Sequence, residues 1–176
     1  MNNIGKRIMV IGSPGSGKST FSIKLAKITG IKLIHLDKEF WNYGWIETPR
    51  EEWVEKQKSL ICGDEWIVDG NFNGTIDIRI EKADTVICFN LSRVVCLMSY
   101  FKRVITNLGK IRIDMPEGCP EKLDFEFMKF IWNFPKTSGQ SNIDRLGKGK
   151  DKQIIVFKNR REANQYIKEL YSEYEE

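Results

Sequence analysis

Short apolar runs separated by amphipathic stretches make up most of this chain. The first run, residues 8–11, is unbroken and ends in glycine, as the buried strands of parallel sheets often do. Four further runs of this kind lie at residues 32–36, 66–68, 85–89 and 154–157. Helical patterns fill the intervals between them. We therefore predict an α/β fold, in which helices cover both faces of a five-stranded parallel sheet.

The predicted helices carry start and stop signals. One helix is expected between Thr48, as its cap, and Gly63, and another between Pro120 and Pro135. A capping box at residues 159–162 opens the last helix. After the fourth apolar run, four residues at helical spacing predict the buried stripe of a further helix, and they are Leu97, Phe101, Val104 and Leu108.

Length and composition favour a single globular domain over residues 1–176. The chain is 41% hydrophobic and 30% charged, which is neither a disordered nor a fibrous composition. No apolar run approaches the roughly 20 residues that cross a bilayer, and no signal peptide is evident, so we expect a cytoplasmic protein without a membrane partner. Residues 135–152 contain few large apolar side chains, which predicts a mobile surface loop.

Cysteine, histidine and charge content limit the other classes of site. The four cysteines show no C-x-x-C pair, and three lie in or beside apolar runs, so we expect reduced thiols and neither a disulfide framework nor a zinc site. A single histidine excludes a His-rich metal site. The net charge is only +4, and its basic residues concentrate at 92–114 and 144–161, as they would around an anionic cleft or on a solvated surface.

The clearest motif is GSPGSGKS at residues 12–19. It matches the phosphate loop, G-x-x-x-x-G-K-[ST], and lies between a predicted strand and a predicted helix as that loop does. Glycines let backbone amides converge on phosphate oxygens, and the helix dipole attracts the same charge. We expect Lys18 to contact the β- and γ-phosphates of ATP and Ser19 to ligate Mg²⁺. The predicted nucleotide-binding residues are Gly12, Ser13, Pro14, Gly15, Ser16, Gly17, Lys18, Ser19 and Thr20.

Three classes of protein that use such a loop compete at this point: a regulatory GTPase, a motor-type ATPase and a kinase for a small acceptor. A GTPase reads guanine with N-K-x-D, and the nearest candidate, NRRE at residues 159–162, lacks both Lys and Asp. Motor ATPases need larger, oligomeric modules than this chain provides. The kinase is therefore the favoured class.

Two carboxylates follow predicted strands at the sheet edge where ligands of open parallel sheets bind. Asp69 follows the third strand, in the pattern that places an acid near the magnesium of a phosphate loop, although a tight Asp-Gly turn is the alternative. Asp37 follows the second strand and is a candidate either to accept the proton of an acceptor hydroxyl or to bind magnesium through water, with a turn or cap as its structural alternative. His35 is interpreted as a hydrogen-bonded structural residue.

Arginines are expected around the transferred phosphoryl group, because negative charge concentrates on its oxygens. Arg103 and Arg112 lie on either side of a glycine-containing segment and are the candidates to close over it. Arg79 and Arg93 are candidates to hold an anionic acceptor bidentately. A solvated surface position is the alternative for each of the four.

Aromatic residues cluster after Asp37, in a segment too aromatic for an ordinary solvated loop. Trp41 is the predicted stacking residue for a flat acceptor such as a base. Core packing is the alternative, and it suits Trp53 on the predicted helix better. The cluster consists of Phe40, Trp41, Tyr43, Trp45 and Trp53.

Several of these motifs, taken in order, resemble those of the bacterial DNA topology modulation proteins, which are adenylate-kinase-like phosphate-loop proteins. The resemblance covers about residues 7–134. It implies a three-layer P-loop fold with strand order 2-3-1-4-5 and a short lid at about residues 107–120, at whose start Arg103 would bind phosphate. The motifs are the phosphate loop through Thr20, HLD at 35–37, WIVDGNF at 66–72, AD at 83–84, KR at 102–103, PEGC at 116–119 and FIW at 130–132.

Two functions from different classes follow. The favoured one is Mg-ATP-dependent phosphoryl transfer to a small acceptor, a nucleotide or nucleoside, with Lys18, Asp37, Arg103 and Arg112 as catalytic residues. The alternative is a nucleotide-binding, DNA-associated regulator without kinase chemistry. No helix-turn-helix or basic arm is evident, which weighs against a nucleic-acid partner without excluding one. The pattern leaves the oligomeric state open.

Overall fold

A five-stranded parallel sheet forms the centre of the molecule in the computed structural model, which describes residues 4–146 and 152–175. Its strands are β1 (Arg7–Gly12), β2 (Leu33–His35), β5 (Trp66–Asp69), β6 (Thr85–Phe89) and β7 (Gln153–Phe157), in the order β2-β5-β1-β6-β7. Counted along the sheet alone, this is the predicted order 2-3-1-4-5. Strands β3 (Trp41–Asn42) and β4 (Ile46–Glu47) are not part of this sheet and form a short antiparallel ribbon between β2 and β5 in the sequence.

Helices connect the strands and cover both faces of the sheet, which confirms the predicted fold class. None of those in the described residues is long and apolar enough to cross a lipid bilayer. They are α1 (Lys18–Thr29), α2 (Leu36–Phe40), α3 (Arg50–Leu60), α4 (Ile76–Lys82), α5 (Arg93–Asn107), α6 (Phe125–Asn133), α7 (Ser138–Leu146) and α8 (Arg160–Glu175), with a 3₁₀ turn at Phe134–Lys136.

The central strand β1 divides the core into two layers. Ile8 and Val10 face the layer that α1, α5, α6 and α8 cover, and Met9 and Ile11 face the layer with Trp66 and the α3 side. All four β1 residues are fully buried. Side chains alternate between the faces of a strand, so an unbroken apolar run is what a strand covered on both sides requires.

Helix α5 buries a different face from the predicted one. Val104 is buried as expected, but Phe101 and Leu108 are exposed and Tyr100 is buried instead. The Tyr100 hydroxyl bonds backbone groups of residues 122–124, and its ring contacts Phe127 of α6. These contacts turn the tyrosine face of α5 inward and leave part of the predicted stripe in solvent.

Two helix starts differ from the predictions because other residues take the capping role. Helix α6 begins at Phe125 and not after Pro120, since the Asp124 carboxylate accepts a hydrogen bond of 2.9 Å from the Phe127 amide. Thr48 does not cap α3. Its hydroxyl donates to the carbonyl of Phe40, across the β3–β4 ribbon.

The predicted loop at residues 135–152 is wrong as secondary structure over most of its length. The 3₁₀ turn and α7 occupy residues 134–146, and residues 147–151 lie outside the described residues. Asn142 and Leu146 of α7 are buried, so this polar helix is held by tertiary packing and not by an apolar stripe of its own.

Candidate active site

The phosphate loop joins β1 to α1 and keeps the shape that its glycines allow. Gly12, Gly15 and Gly17 have φ angles of 137°, 78° and 104°, a region that other residues rarely adopt. A Cβ on Gly12 would collide with the carbonyl of Phe89, and one on Gly15 with the carbonyl of Cys96 in α5. The loop therefore lies directly against β6 and α5, and its glycines cannot be replaced without moving it.

The residues of the loop fit a polyphosphate. The amides of the first turn of α1, directly after the loop, have no partner within the helix and are free to bind an anion. The Lys18 ammonium group donates to the carbonyl of Ser13 at 3.1 Å and so spans the loop. The buried Ser16 hydroxyl has no hydrogen-bond partner among the described residues. The free amides, the Ser16 hydroxyl and the remaining protons of the Lys18 ammonium group match the oxygens of a nucleoside triphosphate.

A cleft of about 1080 Å³ runs from the phosphate loop across the carboxyl edge of the sheet. It brings together the five charged side chains that were predicted to act on the phosphates, the metal or the acceptor hydroxyl: Lys18, Asp37, Asp69, Arg103 and Arg112. Ligands of open parallel sheets bind at this edge. Ser19 and Thr20 of the phosphate loop also line the cleft.

Asp69 ends β5 beside the end of β2. Its Oδ2 lies 3.0 Å from Nδ1 of His35, with which it is in register on the neighbouring strand. His35 is therefore a hydrogen-bonded partner of the carboxylate, as its structural interpretation predicted. Gly70 follows with a φ of 143° and its Cα against Leu36, so the chain turns sharply after the carboxylate. Both features hold Asp69 at the cleft.

Asp37 lies in the first turn of α2 and lines the cleft, where water still reaches it. Loss of hydration inside the cleft raises the pKa of Asp37 to about 6, with a further contribution from the negative charge of Asp69. Lys18 acts in the opposite direction. The same loss of hydration lowers the pKa of Lys18, while Asp69 and Asp37 oppose that change. Asp37 thus carries a proton affinity matched to near-neutral pH.

Arg103 and Arg112 converge on one carboxylate that the sequence analysis missed. Glu121 is 7% exposed, and its two oxygens lie 3.1 Å from Nη2 of Arg103 and 3.1 Å from Nε of Arg112. Asp114 lies 3.4 Å from Nε of Arg112. Burial lowers the pKa of Arg103. The signal that could have revealed Glu121 is an acidic residue close to a basic segment, which charge counting alone does not distinguish from a surface residue.

Arg79 does not hold an acceptor, contrary to the prediction. Its side chain is fully buried in α4 and donates to the backbone carbonyls of Gly70, Asn71 and Phe72. Burial lowers the pKa of Arg79 to about 9. The arginine shapes the loop after Asp69 and takes no part in lining the cleft.

Arg93 is also wrongly assigned to the acceptor site. It is the first residue of α5, and its guanidinium lies 4.3 Å from the ring of Trp132 in α6, outside the cleft lining. A guanidinium over an indole ring is a cation–π contact, which here joins two helices.

The aromatic cluster divides between the core and the cleft. Trp53 is buried against Phe40 and Phe72, as its core interpretation predicted. Trp41 and Trp45 line the cleft with their rings 5.4 Å apart in an edge-to-face arrangement. Trp45 has a φ of 65°, a backbone conformation that residues other than glycine rarely adopt.

Two residues that support the phosphate loop were not predicted. The amide group of Asn71 forms two hydrogen bonds with the backbone of Gly12, at 2.9 and 2.8 Å. Arg160, at the start of α8, donates to the carbonyls of Gly15 and Ser16 and lines the cleft. Both sets of hydrogen bonds join residues far apart in the chain, so no local sequence pattern predicts them.

Comparisons with known proteins identify the fold but not the family. No family model and no curated protein matches the chain. A gluconokinase from Sinorhizobium meliloti 1021 aligns over 97% of this chain and 91% of its own, with a TM-score of 0.53 and 15% identity. A sugar kinase from Janibacter sp. HTCC2649 aligns over 96% and 91%, with a TM-score of 0.45 and 16% identity. Nothing in these comparisons specifically supports the DNA topology modulation family. At such identity the gluconokinase match shows the fold alone, which is P-loop kinase-like.

Proposed function

We propose that this protein is a Mg-ATP-dependent kinase and that its acceptor is a small, uncharged ring compound with a free hydroxyl, such as a nucleoside. One observation carries the proposal: the phosphate-loop lysine, two carboxylates and two arginines line a single cleft. A nucleotide switch needs the loop and a metal ligand. It has no need of a second carboxylate whose pKa lies near the working pH, whereas a kinase uses one.

Asp37 is the residue we assign to the acceptor hydroxyl. With a pKa of about 6 it is mostly ionised at pH 7.5 and retains more proton affinity than an ordinary aspartate. It accepts the hydroxyl proton as the oxygen attacks the γ-phosphorus and the bond to the ADP oxygen breaks. Lys18 holds the β- and γ-phosphates in place during this displacement.

Arg103 and Arg112 are assigned to the oxygens of the transferred phosphoryl group. Glu121 and Asp114 hold both guanidinium groups beside the cleft before substrates arrive, so less conformational freedom is lost at the moment of transfer. The arginines would exchange part of this pairing for phosphoryl oxygens.

Ser19 and Asp69 are the residues that would hold Mg²⁺. Both line the cleft, and their hydroxyl and carboxylate oxygens are of the type that this ion prefers. When bound, the ion neutralises charge on the phosphate oxygens. His35 contributes by fixing the orientation of the Asp69 carboxylate through its ring nitrogen.

The acceptor class follows from the wall formed by residues 37–47. Its cleft-lining side chains are two carboxylates and two indoles: Asp37, Trp41, Trp45 and Glu47. Indole faces suit a flat or sugar ring, and carboxylates accept hydrogen bonds from hydroxyls but repel an anion. Arg79 and Arg93 are absent from the cleft lining, which removes the two groups expected to bind an acceptor phosphate. A nucleoside therefore fits better than a nucleotide.

A sugar acid is the competing acceptor class, because the structural neighbour with TM-score 0.53 is a gluconokinase. Lys122 lies 5.0 Å from the Trp45 ring and is the cation that a carboxylate on the acceptor would meet. An acceptor screen therefore has to include both neutral and acidic compounds.

The test measures transfer of labelled γ-phosphate from ATP to matched acceptors: a nucleoside, its 5′-monophosphate and gluconate. We expect the nucleoside to be phosphorylated and Lys18→Ala to lower the rate at least 10²-fold. Lys24→Ala, the same change at an exposed lysine of α1, is the control and should keep the wild-type rate. Preferential use of the monophosphate or of gluconate would refute the acceptor class. Transfer to none of the acceptors, combined with salt-sensitive binding of duplex DNA, would favour the regulator instead.

A further inference from the structure

Helix α5 presents three faces, of which two pack into the core or line the cleft. One face packs into the core through Cys96, Tyr100 and Val104. A second lines the cleft with Ser99, Arg103 and Asn107. The third, which we name the outer stripe, is apolar and belongs to neither. It consists of Val94, Met98, Phe101 and Ile105, together with Leu108, the residue that follows the last turn of the helix.

The outer stripe is exposed to an unusual degree for such large side chains. The exposed fractions are 52% for Val94, 68% for Met98, 38% for Phe101, 79% for Ile105 and 63% for Leu108. Isolated apolar residues on a surface need no explanation, but a contiguous stripe along a helix marks an interaction site. The four members within the helix are successively four, three and four residues apart, which is the a/d spacing of helices that pack along one another, and Leu108 follows three residues later at the helix end.

We propose that the outer stripe is the interface of a symmetric homodimer in which α5 packs antiparallel against α5 of a second copy. The stripe is nearly symmetrical about Phe101: Val94 and Leu108 are each seven residues away, and Met98 and Ile105 are three and four away. A two-fold axis at Phe101 therefore places Val94 against Leu108 of the second copy and Met98 against its Ile105. The same surface on both copies then becomes mutually complementary.

The area available suits a small interface with a second copy. The five exposed fractions correspond to on the order of 600 Å² per copy, or about 1,200 Å² in total, which is the lower limit of specific interfaces. We therefore expect dissociation at micromolar concentrations. Lys102 is exposed and adjacent to Phe101, so two like charges approach near the axis and the dimer should strengthen with salt.

The test compares sedimentation velocity of the full chain with that of a variant carrying Met98→Lys and Ile105→Lys. We expect wild-type protein to approach about 41 kDa, twice the chain mass of 20.5 kDa, as its concentration rises through the micromolar range. The double variant should remain at the monomer mass and melt at nearly the wild-type temperature, because both side chains are exposed. Tyr174→Lys, the same kind of change at an exposed residue of α8, should still dimerise.

The antiparallel arrangement has its own test. In a Cys62→Ser background, which removes the exposed native thiol, a mixture of Val94→Cys and Leu108→Cys chains should form a mixed disulfide in preference to either homodimer. A wild-type chain that stays monomeric at 200 µM (~10² times the expected dissociation constant), or a dimer that survives the double substitution, would overturn the proposal. So would a monomer that binds phosphatidylcholine vesicles through the stripe.

Discussion

Asp37→Asn should stabilise the folded protein while it abolishes phosphoryl transfer. The environment of the cleft raises the pKa of Asp37 from its ordinary value of 3.8 to about 6, so ionisation of this group costs more in the folded state than in the unfolded chain. The folded protein consequently holds the proton more tightly, and its stability falls as pH rises from about 4 to about 6. Asparagine carries no charge at any of these pH values, so the variant does not lose stability through ionisation at this position.

The magnitude follows from the size of the pKa change. A rise of about two pH units corresponds to at most about 3 kcal/mol. Water reaches the side chain in the open cleft and screens its charge, so we expect about 1 kcal/mol. For a chain of 176 residues this raises the melting temperature by about 2–3 °C.

Thermal unfolding followed by circular dichroism between pH 4 and pH 8 measures the effect. The gain of Asp37→Asn should be small at pH 4, where the carboxyl is protonated in the folded state and about half ionised in the unfolded chain, and complete above about pH 7. Asp64→Asn, the same change at an exposed loop aspartate, is the control and should produce no such pH-dependent gain. A gain of equal size at pH 4 and pH 7.5, or a loss of stability at pH 7.5, would show that the pKa of Asp37 is not raised in the folded protein.

Three further predictions concern residues that the structure places in supporting roles. Arg79→Met should lower the free energy of unfolding in urea by about 3 kcal/mol, because three backbone carbonyls lose their donor; a loss below 1 kcal/mol would contradict it. Gly15→Ala should lower the melting temperature and weaken ATP binding measured by calorimetry. Gly15 has a φ of 78°, which costs about 1–2 kcal/mol for alanine, and the added Cβ would collide with α5. Unchanged ATP binding would contradict this geometry. Glu121→Gln should destabilise the free protein, because Arg103 and Arg112 lose the carboxylate that they share. Phosphate oxygens would replace that charge, so a non-hydrolysable ATP analogue should raise the melting temperature of this variant more than that of wild type. Equal ligand-induced shifts would show that the arginines do not meet the phosphates.

The sheet could be predicted from the sequence because its strands are buried on both faces. Strands of this kind consist of apolar residues almost without interruption, and the run at β1 is followed directly by the phosphate loop. The loop is equally visible, since three of its glycines are required by backbone geometry at fixed spacing. Local chemistry and sequence pattern coincide at these positions.

The remaining features depend on contacts between distant residues, which no local pattern records. Helix α7 has few apolar residues and is held through Asn142 and Leu146, so its sequence is typical of a loop. Arg79 looks like any surface arginine of a helix, yet the loop at residues 70–72 encloses it. Glu121 acquires its role only when α5 and the segment after it bring two arginines to its oxygens. Charge and spacing alone could not separate these cases.

The contact between Arg160 and the phosphate loop determines the order in which the nucleotide site is completed during synthesis. Arg160 donates to the carbonyls of Gly15 and Ser16, which lie about 145 positions earlier in the chain. Helix α8, which begins at Arg160, also packs on α1, the helix that follows the phosphate loop. A ribosome-bound chain that has not yet extended past residue 160 lacks this brace. The triphosphate cradle of a nascent molecule therefore remains without its Arg160 contacts until that residue has left the ribosome.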